Sequence, residues 1–310
     1  MKKALLAILP LFLLLPNAVF GDDLLVVMDA ERPHYQQVLQ GFMSVCACGT
    51  APPGGVKSIQ PVTLHRLILD DKNEEAITAS IRNVRPDLIL AIGNRSLQAA
   101  MRVPEVPIVY LLVANPQRLV GKRENITGIE LRLPADRQFE AIRKHLPTVK
   151  RLGVIYDPAR TGNLVAEANI AAPRHLLSLV ASPVNGRSDI AKQLTTLRTA
   201  RIEGIWMLPD ITVLEPTILQ DLLLFSLENK IPLISFADRY LQAGAAVSIT
   251  FDMTSIGAEA GKMANAILGG TPIAAIPPRP AQRATVKHNP LIVKKLGVIF
   301  IENGQTGVGK

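Results

Sequence analysis

Residues 85–116, RPDLILAIGNRSLQAAMRVPEVPIVYLLVANP, decide the reading of this chain. They hold two apolar runs, Leu88–Ile92 and Ile108–Val113, each ending abruptly in small polar residues. The first stops at Gly93-Asn94-Arg95-Ser96 and the second at Ala114-Asn115-Pro116. Runs that are continuously apolar, rather than alternating, fit strands covered on both faces of a parallel sheet.

The same alternation extends outward from this stretch. Upstream, LLVVMD (24–29) reads as a strand, and ERPHYQQVLQGFMSVCA (31–47) sets Tyr35, Val38, Leu39, Phe42 and Val45 at helical spacing. SIQPVTLHRLIL (58–69) reads as a strand, and NEEAITASIRNV (73–84) as a helix with Asn73 in the capping position. Downstream, after the loop RLVGKRENITG, a second series begins. Helices are predicted over 135–146, 161–172, 189–200 and 214–229, and strands over 151–158, 176–184, 204–210 and 231–236. Two such series predict an α/β protein of two doubly wound, parallel-sheet lobes, with the seam at 117–134. Residues 244–270 give one more strand and a helix ended by Gly269-Gly270; a Pro-rich crossing (271–289) and a short helix (290–297) follow. A crossing so late returns the chain to the first lobe and then to the second, so the hinge is expected to contain several strands. The expected boundaries are 22–120 with 250–278 for lobe 1, and 121–249 with 279–310 for lobe 2.

A chain of 310 residues, 48% hydrophobic and 19% charged, has material for about two domains. Lys2 and Lys3, the apolar run Ala4–Leu15 and the small-residue site Val19-Phe20-Gly21 have the layout of a secretory signal peptide, with cleavage expected near Gly21. The product is then an exported, periplasmic protein. Without Lys2 and Lys3 the formal charge falls from +8 to +6. The pI near 9.6 comes from scattered Lys and Arg, without a basic stripe interleaved with aromatics, so no nucleic-acid partner is expected. The two cysteines, Cys46 and Cys48 in VCACG, suit a tight disulfide or buried thiols. The five histidines form no ligand-spaced cluster with them, so no metal is expected.

No G-x-S-x-G, H-E-x-x-H or G-x-G-x-x-G signature is present, which argues against an enzyme and against a cofactor. Gly304 to Lys310 (GQTGVGK) fits only the beginning of a phosphate loop, lacking the Ser/Thr and the following helix, and reads as a tail. Asn125-Ile126-Thr127 reads as a turn and strand start. Polar residues gather instead at the carboxyl ends of the predicted strands: Asp29, then Asn94 and Ser96, then Asn115, Asp157 with Asn163, Asp210 with Thr212, Ser235 with Asp238, and Asp252. Ligands of open α/β sheets bind on that side, so these residues are expected to face one cleft, although the same residue types also cap helices. Tyr35 offers either a stacking face or a core contact.

The ordered motifs RPDLILAIGNRSLQAA, VPIVYLLVANP, NITGIELR, HLPTVKRLGVIYDP, WMLPD, KIPLISF, GAAVSITFDMTSIGAEAGKMANAILGG and LGVIF resemble the periplasmic substrate-binding proteins of ABC importers. Within that family the resemblance is to the group related to the tryptophan-binding component. It implies a type I periplasmic-binding fold, two lobes that close on a small organic ligand, delivery to an ABC permease in the inner membrane, and no catalysis. A ligand sensor that presents its closed form to a signalling receptor is the alternative. Among the family's ligand positions, one falls on Asn94, the acid of WMLPD on Asp210, and an Asn-Ser pair near Gly162 and Asn163. The acid of the family's V-T-D-P turn falls on Asn115. An amide binds an ammonium group less strongly than a carboxylate does, so a neutral or apolar ligand fits the sequence as well as an aromatic amino acid.

Overall fold

In the computed structural model, residues 22–46, 62–70, 73–302 and the backbone of 305–307 are described. The expected signal peptide and Cys48 lie outside them. The chain first lays down β1 (Asp23–Met28), α1 (Pro33–Met43), β2 (Thr63–Ile68), α2 (Glu74–Val84), β3 (Leu88–Ile92), α3 (Asn94–Ala100), β4 (Ile108–Leu111), α4 (Pro116–Val120) and β5 (Ile126–Glu130). It continues with α5 (Ala135–His145), β6 (Arg151–Tyr156), α6 (Pro158–Ala171), β7 (Ser178–Pro183), α7 (Ile190–Thr199), β8 (Gly204–Trp206), α8 (Pro216–Glu228), β9 (Leu233–Ser235), α9 (Arg239–Ala243) and β10 (Val247–Phe251). Then come α10 (Met253–Leu268), β11 (Arg279–Pro280), β12 (Ala284–His288), α11 (Pro290–Leu296) and the pair β13 (Phe300–Glu302) and β14 (Gln305–Gly307).

Two six-stranded sheets result, ordered β2-β1-β3-β4-β5-β11 and β7-β6-β8-β9-β10-β12. The order is the same twice, and every pairing is parallel except β12 on β10. Alternate side chains of each central strand feed opposite layers. Leu88, Leu90 and Ile92 of β3 pack with Val38 and Phe42 of α1. Ile89 and Ala91 pack with Ile77 and Ile81 of α2 and Leu97 of α3. The second sheet is sandwiched likewise, with Phe139 and Val165 of α5 and α6 on one face and Leu197, Ile218 and Leu222 of α7 and α8 on the other. These are two doubly wound α/β lobes.

Local chemistry moves several expected boundaries. Helix α6 begins at Pro158 rather than at 161, because Asp157 caps it by accepting from Ala159 N (2.9 Å) and Pro158 tolerates the first helical position. Strand β8 ends at Trp206, and 207–210 turn away to carry Asp210. The short helices α4 and α9 have too few residues to show a helical period. Gln305–Gly307 of the expected tail pairs antiparallel with Phe300–Glu302. Cys46 is buried and disulfide-bonded. Among the described residues, no helix is long and apolar enough to cross a membrane, and no group of side chains is arranged to hold a metal ion.

The strand pairing places the first crossing between sheets at 131–134 rather than at 120/121, because Ile126–Glu130 pairs with β4. The chain crosses again at Asp252 and at 281–283. These crossings are bonded to one another: Ala281 N donates to Arg132 O (3.1 Å), and Asp252 N donates to Arg283 O (3.1 Å).

The second crossing exists because α10 packs on α1 in the first lobe. A Cβ on Gly257 would sit 1.9 Å from Val38 O, and one on Gly41 would sit 2.0 Å from Thr254 O, so the two backbones touch where only glycine fits. Ile256, Ala260, Met263 and Ala264 of α10 then complete the core against β1 and β3. Because the obstacle is backbone, Gly257→Val is expected to lower the unfolding free energy by about 2–3 kcal/mol, read from urea denaturation.

Candidate functional site

The first stop, after β3, is made by Gly93 at φ 109°, where a Cβ would lie 2.4 Å from the Asp29 carboxyl carbon. With no side chain in the way, the Asp29 carboxylate sits over the N-terminus of α3. It accepts from Ser96 N (2.6 Å), Ser96 Oγ (2.7 Å) and Arg95 N (3.3 Å). Asn94 turns the other way, and its Oδ1 accepts from Ala114 N (2.8 Å). Gly93 N also donates to Leu111 O (2.9 Å). The first stop therefore holds the second in place. Leu112 and Asn115 there adopt left-handed φ values of 54° and 49°. Asn115 makes no side-chain bond to the helix that it precedes and is left exposed.

The second lobe closes its strand ends in a corresponding way. Asp210, 1% exposed, accepts from Asp157 N (2.8 Å) and Thr161 Oγ1 (2.5 Å) through Oδ2, and from Thr212 N (3.0 Å) through Oδ1. Thr212 Oγ1 in turn donates to Asp157 Oδ2 (2.8 Å). A buried carboxylate with this many donors is compensated by its own lobe. Ser235 is buried and donates to Val247 O (3.1 Å). Asp238 receives Ser248 Oγ (2.6 Å) and Lys287 Nζ (2.5 Å). Asp252 caps α10 through Ser255 N (2.9 Å). Tyr35 is packed in the first-lobe core beside His34, and burial raises its phenol above the ordinary range.

Between the lobes lies a cleft of about 670 Å³. The first lobe contributes Asn115 and Gln117, and the hinge segment contributes Glu130 and Arg132. Asn163 and Glu167 on α6 face them from the second lobe, with an apolar wall that includes Leu208, Phe236 and Phe251. Trp206 forms the floor: it is 2% exposed, packs edge-on to Phe139, and donates Nε1–H to Gln138 Oε1 (2.8 Å). Gln138 Nε2 donates onward to Leu133 O (2.8 Å) in the hinge. Of the residues selected from the sequence, Asn115 and Asn163 line this cleft, whereas Asp29, Tyr35, Asn94, Ser96, Asp210, Thr212, Ser235 and Asp252 do not.

The charged residues of the cleft were not among those expected. Arg132 Nη1 donates to Glu167 Oε2 (2.8 Å), and its Nε stands 3.8 Å from Glu130 Oε2. Gln117 Nε2 donates to Glu130 Oε1 (3.2 Å). The sequence signal was weaker than at the other two stops: in NITGIELR, a short run broken by Thr127 and Gly128 ends at the charged Glu130 and Arg132 rather than at small polar residues. Burial and, secondarily, Glu130 hold the Tyr110 phenol of β4 neutral well above its ordinary range.

Two α/β lobes of equal strand order, joined by bonded crossings and enclosing a cleft, define a ligand-binding protein of the type I periplasmic-binding fold. The sequence matches the ABC transporter substrate binding protein family over residues 56–304, and the chain belongs to that family of binding proteins, which are not enzymes. A "Tyrosine-binding protein" from Clostridioides difficile (strain R20291) is 24% identical over 217 residues. That similarity spans 67% of this chain and 62% of the relative's length. The ligand-free, open structure of a substrate binding protein with adhesive properties from Clostridium difficile superposes with a TM-score of 0.64. It is 20% identical, with 91% of this chain and 97% of that one covered. An ABC transporter substrate-binding protein from Desulfitobacterium hafniense in complex with Leu gives a TM-score of 0.50 at 10% identity, covering 93% and 99% of the two chains.

The hydrogen bonding separates scaffold from cleft. Asp210→Ala leaves Asp157 N, Thr161 Oγ1 and Thr212 N without their carboxylate and is expected to cost about 2–3 kcal/mol in urea unfolding, whereas Asn115→Ala loses no cap bond and should cost only about 1 kcal/mol, the strain of alanine at a left-handed φ.

Proposed function

We propose that the chain is an exported, periplasmic solute-binding protein that captures a small organic ligand between its lobes and delivers it to an ABC permease in the inner membrane. The observation that carries this reading is the cleft of about 670 Å³, lined from both lobes and from the hinge, a volume suited to one small molecule. Asn115 and Asn163 contact the ligand from opposite walls. Asp29, Asn94, Ser96, Asp210 and Thr212 support the loops that present them, and Tyr35, Ser235 and Asp252 belong to the packing behind. Phe236 and Phe251 supply the apolar contact for the ligand's body, and the tyrosine bound by the Clostridioides relative, as its name states, makes an aromatic amino acid the first compound to test.

A thermal-shift screen of amino acids, nucleobases, sugars and lipids is expected to show one class raising the midpoint, since ligand at a hundred times its Kd adds about 2.7 kcal/mol. Binding should be stoichiometric and yield no product. Asn115→Ala and Asn163→Ala should each weaken it about tenfold, the loss of roughly one hydrogen bond. A screen in which no class stabilises the chain would refute this function.

A further inference from the structure

The cleft holds more negative charge than its own cation neutralises. Two carboxylates, Glu130 and Glu167, line it against one guanidinium, Arg132. Both acids lie within ion-pair distance of Arg132, and the geometry shows which is the less fully compensated. Arg132 is hydrogen-bonded to Glu167 Oε2 at 2.8 Å, whereas its Nε is 3.8 Å from Glu130 Oε2, beyond hydrogen-bond reach. Glu130 is also the more sequestered of the two acids, its side chain 15% exposed against 51% for Glu167. The hydrogen bond that Glu130 receives in the cleft comes from the neutral amide of Gln117, at 3.2 Å on the other oxygen. A partly desolvated carboxylate with one oxygen lacking a charge-assisted donor favours a cation that brings its own N–H groups.

We propose that Glu130 is the specificity-determining residue of the cleft: its Oε2 accepts the protonated amine of the ligand, so the protein selects amine-bearing molecules although Asn115 carries no charge. This rests on the solute-binding reading above. Arg132 is hydrogen-bonded to Glu167 and only ion-paired to Glu130 at 3.8 Å, so one cation is shared between two acids and Glu130 keeps room for the ligand's ammonium. The ligand class is then a primary amine with an apolar body, with or without a carboxylate.

Calorimetric titration of the exported chain with L-tyrosine, L-tryptophan and L-leucine, each beside the analogue in which hydrogen replaces the amino group, tests this directly. At least one amine should bind, and its amine-free analogue should bind roughly 10- to 100-fold more weakly, the loss of a hydrogen bond between charged groups. Glu130→Gln keeps shape and the Gln117 contact; it should weaken the amine by a similar factor and bind the anionic analogue no more weakly than the parent does, since a repelling charge is removed. The unfolding midpoint without ligand checks that the variant folds, and the comparison of amines with analogues on the parent chain stands if it does not. Equal affinity for amine and analogue, or an unaltered amine affinity in a folded Glu130→Gln, overturns the assignment. If no amine binds but a neutral compound from the screen does, the role of Glu130 falls while the solute-binding reading stands; if nothing binds, both fall.

Discussion

The contact between α1 and α10 fixes the path of the chain. Val38 O and Thr254 O occupy the space that side chains on Gly257 and Gly41 would need, so the two helices meet backbone to backbone. Had either position carried a larger residue, α10 could not seat its apolar side on β1 and β3, and the residues after β10 would have no reason to return to the first lobe. Their return creates the second and third crossings, and with them the hinge that frames the cleft.

Much of this architecture was legible because it rests on periodicity. Strands buried on both faces read as unbroken apolar runs, as in LILAI, and amphipathic helices such as 31–47 announce themselves by spacing. What could not be read was set by single contacts between residues distant in sequence. The pairing of Ile126–Glu130 with β4 carries the first sheet past the expected lobe boundary at 120/121, and nothing in a linear pattern marks a sheet partner. Short helices such as α4 depend on a proline and a left-handed Asn115 rather than on any period.

The site was legible in part, for a chemical reason. Asp, Ser, Thr and Asn at strand ends point to the ligand side of an α/β sheet, but these groups also satisfy helix N-termini and one another. Asp29 is engaged by Ser96, and Asp210 by Asp157, Thr161 and Thr212, so they shape the walls from behind. Asn115 and Asn163, which no cap claims, face the cleft. Glu130 and Arg132 carry no such mark in sequence, because charged side chains at a strand end look like any solvated pair until the other lobe is placed opposite them.

The three bonded crossings also limit how the two lobes can move. One connecting strand would permit twisting and sliding as freely as bending. Side-by-side segments joined by the bonds from Ala281 to Arg132 and from Asp252 to Arg283 resist shear and torsion, leaving rotation about an axis across them as the soft mode. With a single soft coordinate, α6 and the loop after β4 approach along nearly the same path each time, so the selectivity of the cleft is built into the mechanics of its backbone as well as into its side chains.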